Sequence, residues 1–183
     1  EELATSYMKP GGILLDQAAI LVNWQISKAA TSGFLSGLGG LITLPVAVPA
    51  NIASVLYVQI RMIAAIASMG GYDIRSDQVR TLVYMCLCGS AITDILKDIG
   101  IQVGTKLTKT AINKISSVTI TKINQTVGFR LITKFGQTGA INLGKAVPFL
   151  GGVIGGTVDA VATRTIGKVA INTFIDENRT VAQ

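Results

Sequence analysis

The stretch AATSGFLSGLGGLITLPVAVPANIASVLYVQI, residues 29–60, contains no charged side chain, and Arg61 follows it at once. Thirty-two uncharged residues exceed the ~20 that a membrane-spanning helix needs. Two prolines (Pro45 and Pro49), four glycines and Asn51 interrupt the run, which argues against one straight span. A buried pair of short helices fits it better, as does a hairpin that inserts conditionally. On this reading Gly33 to Gly40 ends a helix over 13–31, whose apolar positions Leu14, Ala18, Leu21, Val22 and Ile26 recur at steps of three and four. Pro45 and Pro49 then open a second helix from about Ala50 to Met69, closed by Gly70-Gly71.

The same reading continues to the C-terminus. A third helical stretch is expected over 77–97, with Asp77 as its N-cap. Residues 105–115 place Leu107, Ala111, Ile112 and Ile115 opposite Lys106, Lys109, Asn113 and Lys114, an amphipathic helix. Residues 118–135 follow the helical period through Ile120, Ile123, Val127 and Leu131, although the β-branched run SSVTITKI (116–123) suits a strand equally. A loop is expected over 136–145, and Pro148 precedes a glycine-rich final helix ending near Phe174. No linker divides the 183 residues, so the expected fold is a single all-α domain over 1–183. It would be a compact multi-helix bundle with apolar hairpins rich in glycine and proline.

Composition narrows the function. Apolar residues make up 49% and charged residues 14% of the chain, against a usual ~25% charged. Disorder needs the opposite balance. There is no histidine, which removes the commonest general base and metal ligand. Cys86 and Cys88, two apart on a helix, point to nearly opposite faces and read as small core residues in a reducing compartment. The first residues, EELAT, carry no basic segment leading into an apolar run, so no secretory signal is expected in them.

The net charge is +6, and it is unevenly placed. From Ile99 to Val158 there are seven bases (Lys106, Lys109, Lys114, Lys122, Arg130, Lys134 and Lys145) and no acid. Such a block calls for a polyanionic partner, anionic lipid or nucleic acid. Only Phe129 and Phe135 supply aromatic faces within it, which disfavours nucleic acid.

Enzyme motifs do not survive inspection. Gly139 to Lys145 matches the core of a phosphate-binding loop, but Ala146 replaces the Ser or Thr that holds magnesium, and Pro148 falls in the first turn beyond. Gly37-x-Gly39 lacks the third glycine of a dinucleotide fingerprint. Asp94 and Asp98 share a helix face beside Lys97 and read as a solvated surface. No catalytic residue, metal ligand or cofactor is expected. The glycine pairs Gly33/Gly37, Gly100/Gly104, Gly151/Gly155 and Gly152/Gly156 clear helix faces for close packing, in water or in lipid. Arg61, Asp159 and Arg164 lie in apolar surroundings, where either arginine could pair with Asp159 across two helices or all three could reach solvent.

The blocks GFLSGLGGLITLPVAVPANIASVLYVQIRMIAAIASMGGYD (33–73), VRTLVYMCLCG (79–89), GIQVGTKLTKTAINKIS (100–116), INQTVGFRLITKFG (123–136) and KAVPFLGGVIGGTVDAVATRTIGKVAINTFI (145–175) resemble the EcsC family of bacterial proteins. The family is associated by name with an ABC-transporter locus, and the resemblance implies bacterial origin and membrane association without supplying a reaction. Family members often carry histidine where this chain has Ser68, so acid–base or metal work at that position is not implied. The expected activity is docking on anionic membrane lipids through Lys106, Lys109, Lys114, Lys122, Arg130, Lys134 and Lys145. Gly33, Gly37, Gly151, Gly152, Gly155, Gly156, Pro45 and Pro49 would serve helix packing or the insertion of hairpins, as in a pore-forming or depolarising effector. The alternative is a non-catalytic module binding a transporter component, a secretion complex, or an immunity or regulatory protein. The expected location is bacterial, in the cytoplasm or peripheral to the inner membrane.

Overall fold

Leu14, Ala18, Leu21 and Val22 are buried on one face of a helix that does not stop at Gly33. In the computed structural model this helix, α2, runs Leu14–Leu38, after a short α1 (Glu2–Tyr7). The structure describes residues 1–38, 40–98, 109–141 and 150–175, with side chains except at 36–38, 40–51, 109, 111, 132, 134–141, 150–152 and 154. The remaining helices are α3 (Gly40–Met69), α4 (Asp77–Cys86), α5 (Ile92–Asp98), α6 (Lys109–Asn113), α7 (Ser117–Ile141) and α8 (Leu150–Phe174), with a 3-10 turn at Gly89–Ala91. The fold is all-α, with no strand among the described residues.

Several boundaries differ from the sequence reading, each for a physical reason. Glycine costs a helix only ~1 kcal/mol, and at Gly33 a partner helix packed against the bare backbone outweighs that cost. Pro45 and Pro49 lie inside α3 rather than ahead of it. A proline inside a helix forfeits the bond to the carbonyl four residues back and crowds it, at ~3 kcal/mol or more, yet its fixed φ is itself helical and α3 continues through both positions. The stretch 77–97 is two helices, broken where Gly89 takes φ +62°. Ser76, not Asp77, caps α4, its Oγ accepting the Val79 N–H at 3.3 Å. The strand alternative at 116–123 loses because Ser116 Oγ accepts the Thr119 N–H at 3.2 Å, an N-cap. Burial then follows helical spacing, with Ile123 and Val127 inside. The expected loop over 136–145 is helical as far as Ile141, and 142–149 lie outside the described residues. Of the amphipathic stretch 105–115, Ile112 is buried and Asn113 and Lys114 are exposed, as the pattern requires; 105–108 lie outside the described residues.

The stop at Gly70-Gly71 holds in detail. Gly71 has φ +73°, its N–H bonds to Ser68 O at 2.8 Å, and the Tyr72 N–H reaches Ala67 O at 3.0 Å. This is the paired closure that a left-handed glycine permits.

Three long helices form a layer with a readable register. α2 and α8 are antiparallel: Val22 meets Gly167, Ala30 meets Gly156, and Gly33 meets Gly155. α3 is antiparallel to α2, with Ser32 Oγ donating to Ser54 Oγ at 3.2 Å. It therefore runs parallel to α8, with Gln59 Nε2 donating to Thr163 Oγ1 at 3.1 Å and Gly70 beside the Phe174 carbonyl. One end of the layer thus holds the α2–α3 turn and the start of α8. The main core fills the other end, where Leu21, Met62, Ile66, Met69, Leu82 and Met85 are fully buried. α4 packs there, its Cys86 3.9 Å from Thr173, and α7 covers α4.

Burial pushes the Cys86 thiol up to about 12, against an ordinary value of 9.0. An unfolded chain sheds this proton at the ordinary value and the folded chain does not. The stability tied to Cys86 is therefore full below pH 9.0 and falls as pH rises toward 12. Thermal melts across that range are expected to show a steeper alkaline decline for the native chain than for Cys86→Ala. Equal slopes would contradict this assignment.

Candidate functional site

The described cations of the basic block differ in what they face. Lys114, following α6, and Lys122, on α7, are exposed. Lys122 Nζ also donates to the Asp98 carbonyl at 3.1 Å. Arg130 turns toward α5, its guanidinium 3.7 Å from an Asp94 carboxylate oxygen and 3.9 Å from one of Asp98. The acids that read as a solvated face are indeed exposed, yet they straddle an arginine. At these lengths, and open to solvent, each pair is worth ~0–1 kcal/mol, enough to orient Arg130 rather than to hold the fold. Lys106 and Lys145 lie outside the described residues, as do the side chains of Lys109 and Lys134.

The outward face of α7 has a feature that composition did not reveal. Val118 is 78% and Phe129 72% exposed, on the side that also carries Lys122, Gln125 and Thr133. The helical period contained the signal, since both residues fall opposite Ile123 and Val127. On this face a large aromatic ring, Phe129, stands exposed on the same side as Lys122.

Away from α7, glycines set the α2–α8 distance. A Cβ on Gly33 would stand against the Asp159 carboxylate and within 2.7–2.8 Å of the Gly155 backbone; one on Gly156 would stand 2.8 Å from the Ala30 carbonyl. Gly33, Gly155 and Gly156 therefore serve helix packing. Gly37, Gly151 and Gly152 lie on the same helices, with surroundings outside the described residues, and Gly100 and Gly104 lie wholly outside them.

Asp159 is buried at this crossing, its carboxylate one turn from its own Cα toward the α8 N-terminus, the way helical side chains tilt. Neither arginine joins it there. Arg164 follows Asp159 by five residues, which turns it ~140° around the helix to an exposed position. Arg61 is also exposed, its guanidinium 5.5 Å from the Tyr57 ring centroid and 3.5 Å from the Tyr57 hydroxyl. One turn along the layer from Asp159, Gln59 and Thr163 form their buried hydrogen bond, and the register sets Gln25 of α2 at the same level. Gln25 Nε2 is buried without a hydrogen-bond partner among the described residues. No group of three or more His, Cys, Asp or Glu side chains that could hold a metal occurs among the described residues.

One stretch of the described residues, Ile52–Met69, is long and apolar enough to cross a membrane by length and composition alone, and 44% of it is buried within the fold. Met62, Ile63 and Ile66 in its second half belong to the main core, as in the central helix of many water-soluble proteins.

The structure thus defines an all-helical protein with a glycine-notched three-helix layer and a basic, partly apolar outer helix. The sequence profile of the EcsC protein family matches residues 14–175, and the chain belongs to that family. No curated protein matches the chain. No solved structure matches it either.

Proposed function

We propose that this EcsC-family protein is a non-catalytic, membrane-associated factor that docks on anionic bilayers through the outward face of α7 and the adjoining α6 segment. The observation that carries the reading is the exposure of Val118 and Phe129 beside Lys122 on one helix face, with Lys114 also exposed nearby in the chain. Each cation near an anionic surface contributes ~1 kcal/mol, and the lysines of 106–145 lie in a segment with no acid to oppose them. Phe129 adds a ring suited to the level of the headgroups. In a bacterial cell the surface meant is the cytoplasmic leaflet of the inner membrane.

Flotation with phosphatidylglycerol vesicles tests this. Binding is expected at low salt and release at high salt, because charges facing water are screened. Association that ignores salt and the vesicles, but captures a protein in detergent, would overturn lipid docking in favour of a transporter or secretion partner.

A further inference from the structure

The register of the three-helix layer brings together residues far apart in sequence. Measured along α8, Lys28 and Trp24 of α2, Tyr57 and Arg61 of α3, and Arg164 of α8 fall within about five residues of one another, ~8 Å of helix axis. All five are exposed, Trp24 by 59% and Tyr57 by 61%. Beyond them, toward the α2–α3 turn, the outer surface changes character. Residues 29–60 carry no charge, and Asp159, the one charged residue of α8 from Leu150 to Thr163, is buried against Gly33. The exposed side chains described there are Thr31, Leu35 at 62%, Ala53, Ser54, Val153 and Thr157; the Thr31 and Thr157 hydroxyls donate to the Ser27 and Val153 carbonyls and Ser54 Oγ accepts from Ser32, while Gly33, Gly155 and Gly156 face inward. The described surface of this end is therefore uncharged, its exposed polar groups being hydroxyls bonded within the layer.

We propose that this end of the layer enters one leaflet of an anionic phospholipid bilayer, with Trp24, Lys28, Tyr57, Arg61 and Arg164 as its belt at headgroup level. The inference rests on the bilayer docking proposed above but uses a different surface. Three cations and two amphipathic aromatics at one depth match the interface, where Trp and Tyr sit at the headgroups and Lys and Arg reach phosphate while their stems lie along apolar surface. From the belt to Leu150 is about twelve residues of α8, ~18 Å, against ~15 Å for half of a 30 Å hydrocarbon core. The end is therefore long enough to cross one leaflet and too short for two. The buried polar groups stay satisfied or enclosed among the three helices, as polar side chains at membrane depth must.

Trp24 is the only tryptophan of the chain, so its fluorescence reads one depth. The whole protein is mixed with phosphatidylglycerol vesicles containing lipids brominated either near the headgroup or near the chain end. Trp24 emission is expected to shift to the blue and to be quenched more by the shallow bromines. In W24F/L35W and W24F/V153W proteins, both changes being at exposed positions, the deep bromines are expected to quench more. Lys28→Gln, Arg61→Gln and Arg164→Gln together are expected to lower the partition coefficient about a hundredfold, at roughly fivefold per cation. Flotation of the same samples separates the two claims. Protein that floats without this depth order overturns leaflet entry and leaves docking standing. Protein that does not float overturns docking, and leaflet entry with it.

Discussion

Gly33→Ala is expected to lower the melting temperature by about 4–8 °C, whereas the same substitution at Gly128 raises it by about 2–4 °C. Alanine is the better helix former by ~1 kcal/mol at both positions, so propensity alone stabilises both variants. Packing separates them. A methyl on Gly128 meets nothing within 4 Å, so the propensity gain is kept. A methyl on Gly33 meets the Gly155 carbonyl carbon and oxygen at 2.7–2.8 Å as well as the Asp159 carboxylate. Backbone cannot rotate away as a side chain can, so α2 and α8 must part, and overpacking of this kind costs ~1–3 kcal/mol. Loss of the Asp159 carboxylate's close seat adds to that. Calorimetry of the two variants checks the pair, and a shift of the same sign in both would contradict a glycine-set crossing.

Lys114→Glu with Lys122→Glu is expected to weaken binding to phosphatidylglycerol vesicles about a hundredfold or more. Removing two cations costs ~2 kcal/mol, and the two new carboxylates are repelled by the same surface. Lys122 also gives up its hydrogen bond to the Asp98 carbonyl, an exposed contact worth little to the fold. The melting temperature should therefore stay nearly constant while the partition coefficient falls. Substituting Arg130 instead would confuse the reading, because Asp94 and Asp98 already hold it.

The contrast between Lys122 and Arg130 shows where sequence reading stops. The count of cations in 99–158 and the absence of acids there are properties of the string, and so is the helical period that buries Ile112, Ile123 and Val127. Which way each cation points depends on what packs alongside. Asp94 and Asp98 lie more than thirty positions from Arg130, and nothing local links them. Gly33 misled for the same reason, since its helical breaking tendency is local and its partner Gly155 is not. Pro45 and Pro49 carried a strong local signal, a lost hydrogen bond and a crowded carbonyl each, and α3 continues through them nonetheless. The end of α8 near Phe174 and the stop at Gly71 were legible because local chemistry alone sets them.

The belt of Trp24, Lys28, Tyr57, Arg61 and Arg164 was the least legible feature. It exists only once three helices share a register, and that register is written in contacts such as Gln59 with Thr163 and Ser32 with Ser54. Sequence alone left Arg61 and Arg164 either pairing with Asp159 or reaching solvent with it; both arginines are exposed while Asp159 is buried.

The most direct test of membrane docking is the partition of the whole protein into vesicles in which phosphatidylglycerol progressively replaces phosphatidylcholine at fixed ionic strength. A partition coefficient that climbs steeply with the anionic fraction, and is negligible in pure phosphatidylcholine, is the expected result. Equal partition into neutral and anionic vesicles, or none into either, would contradict it.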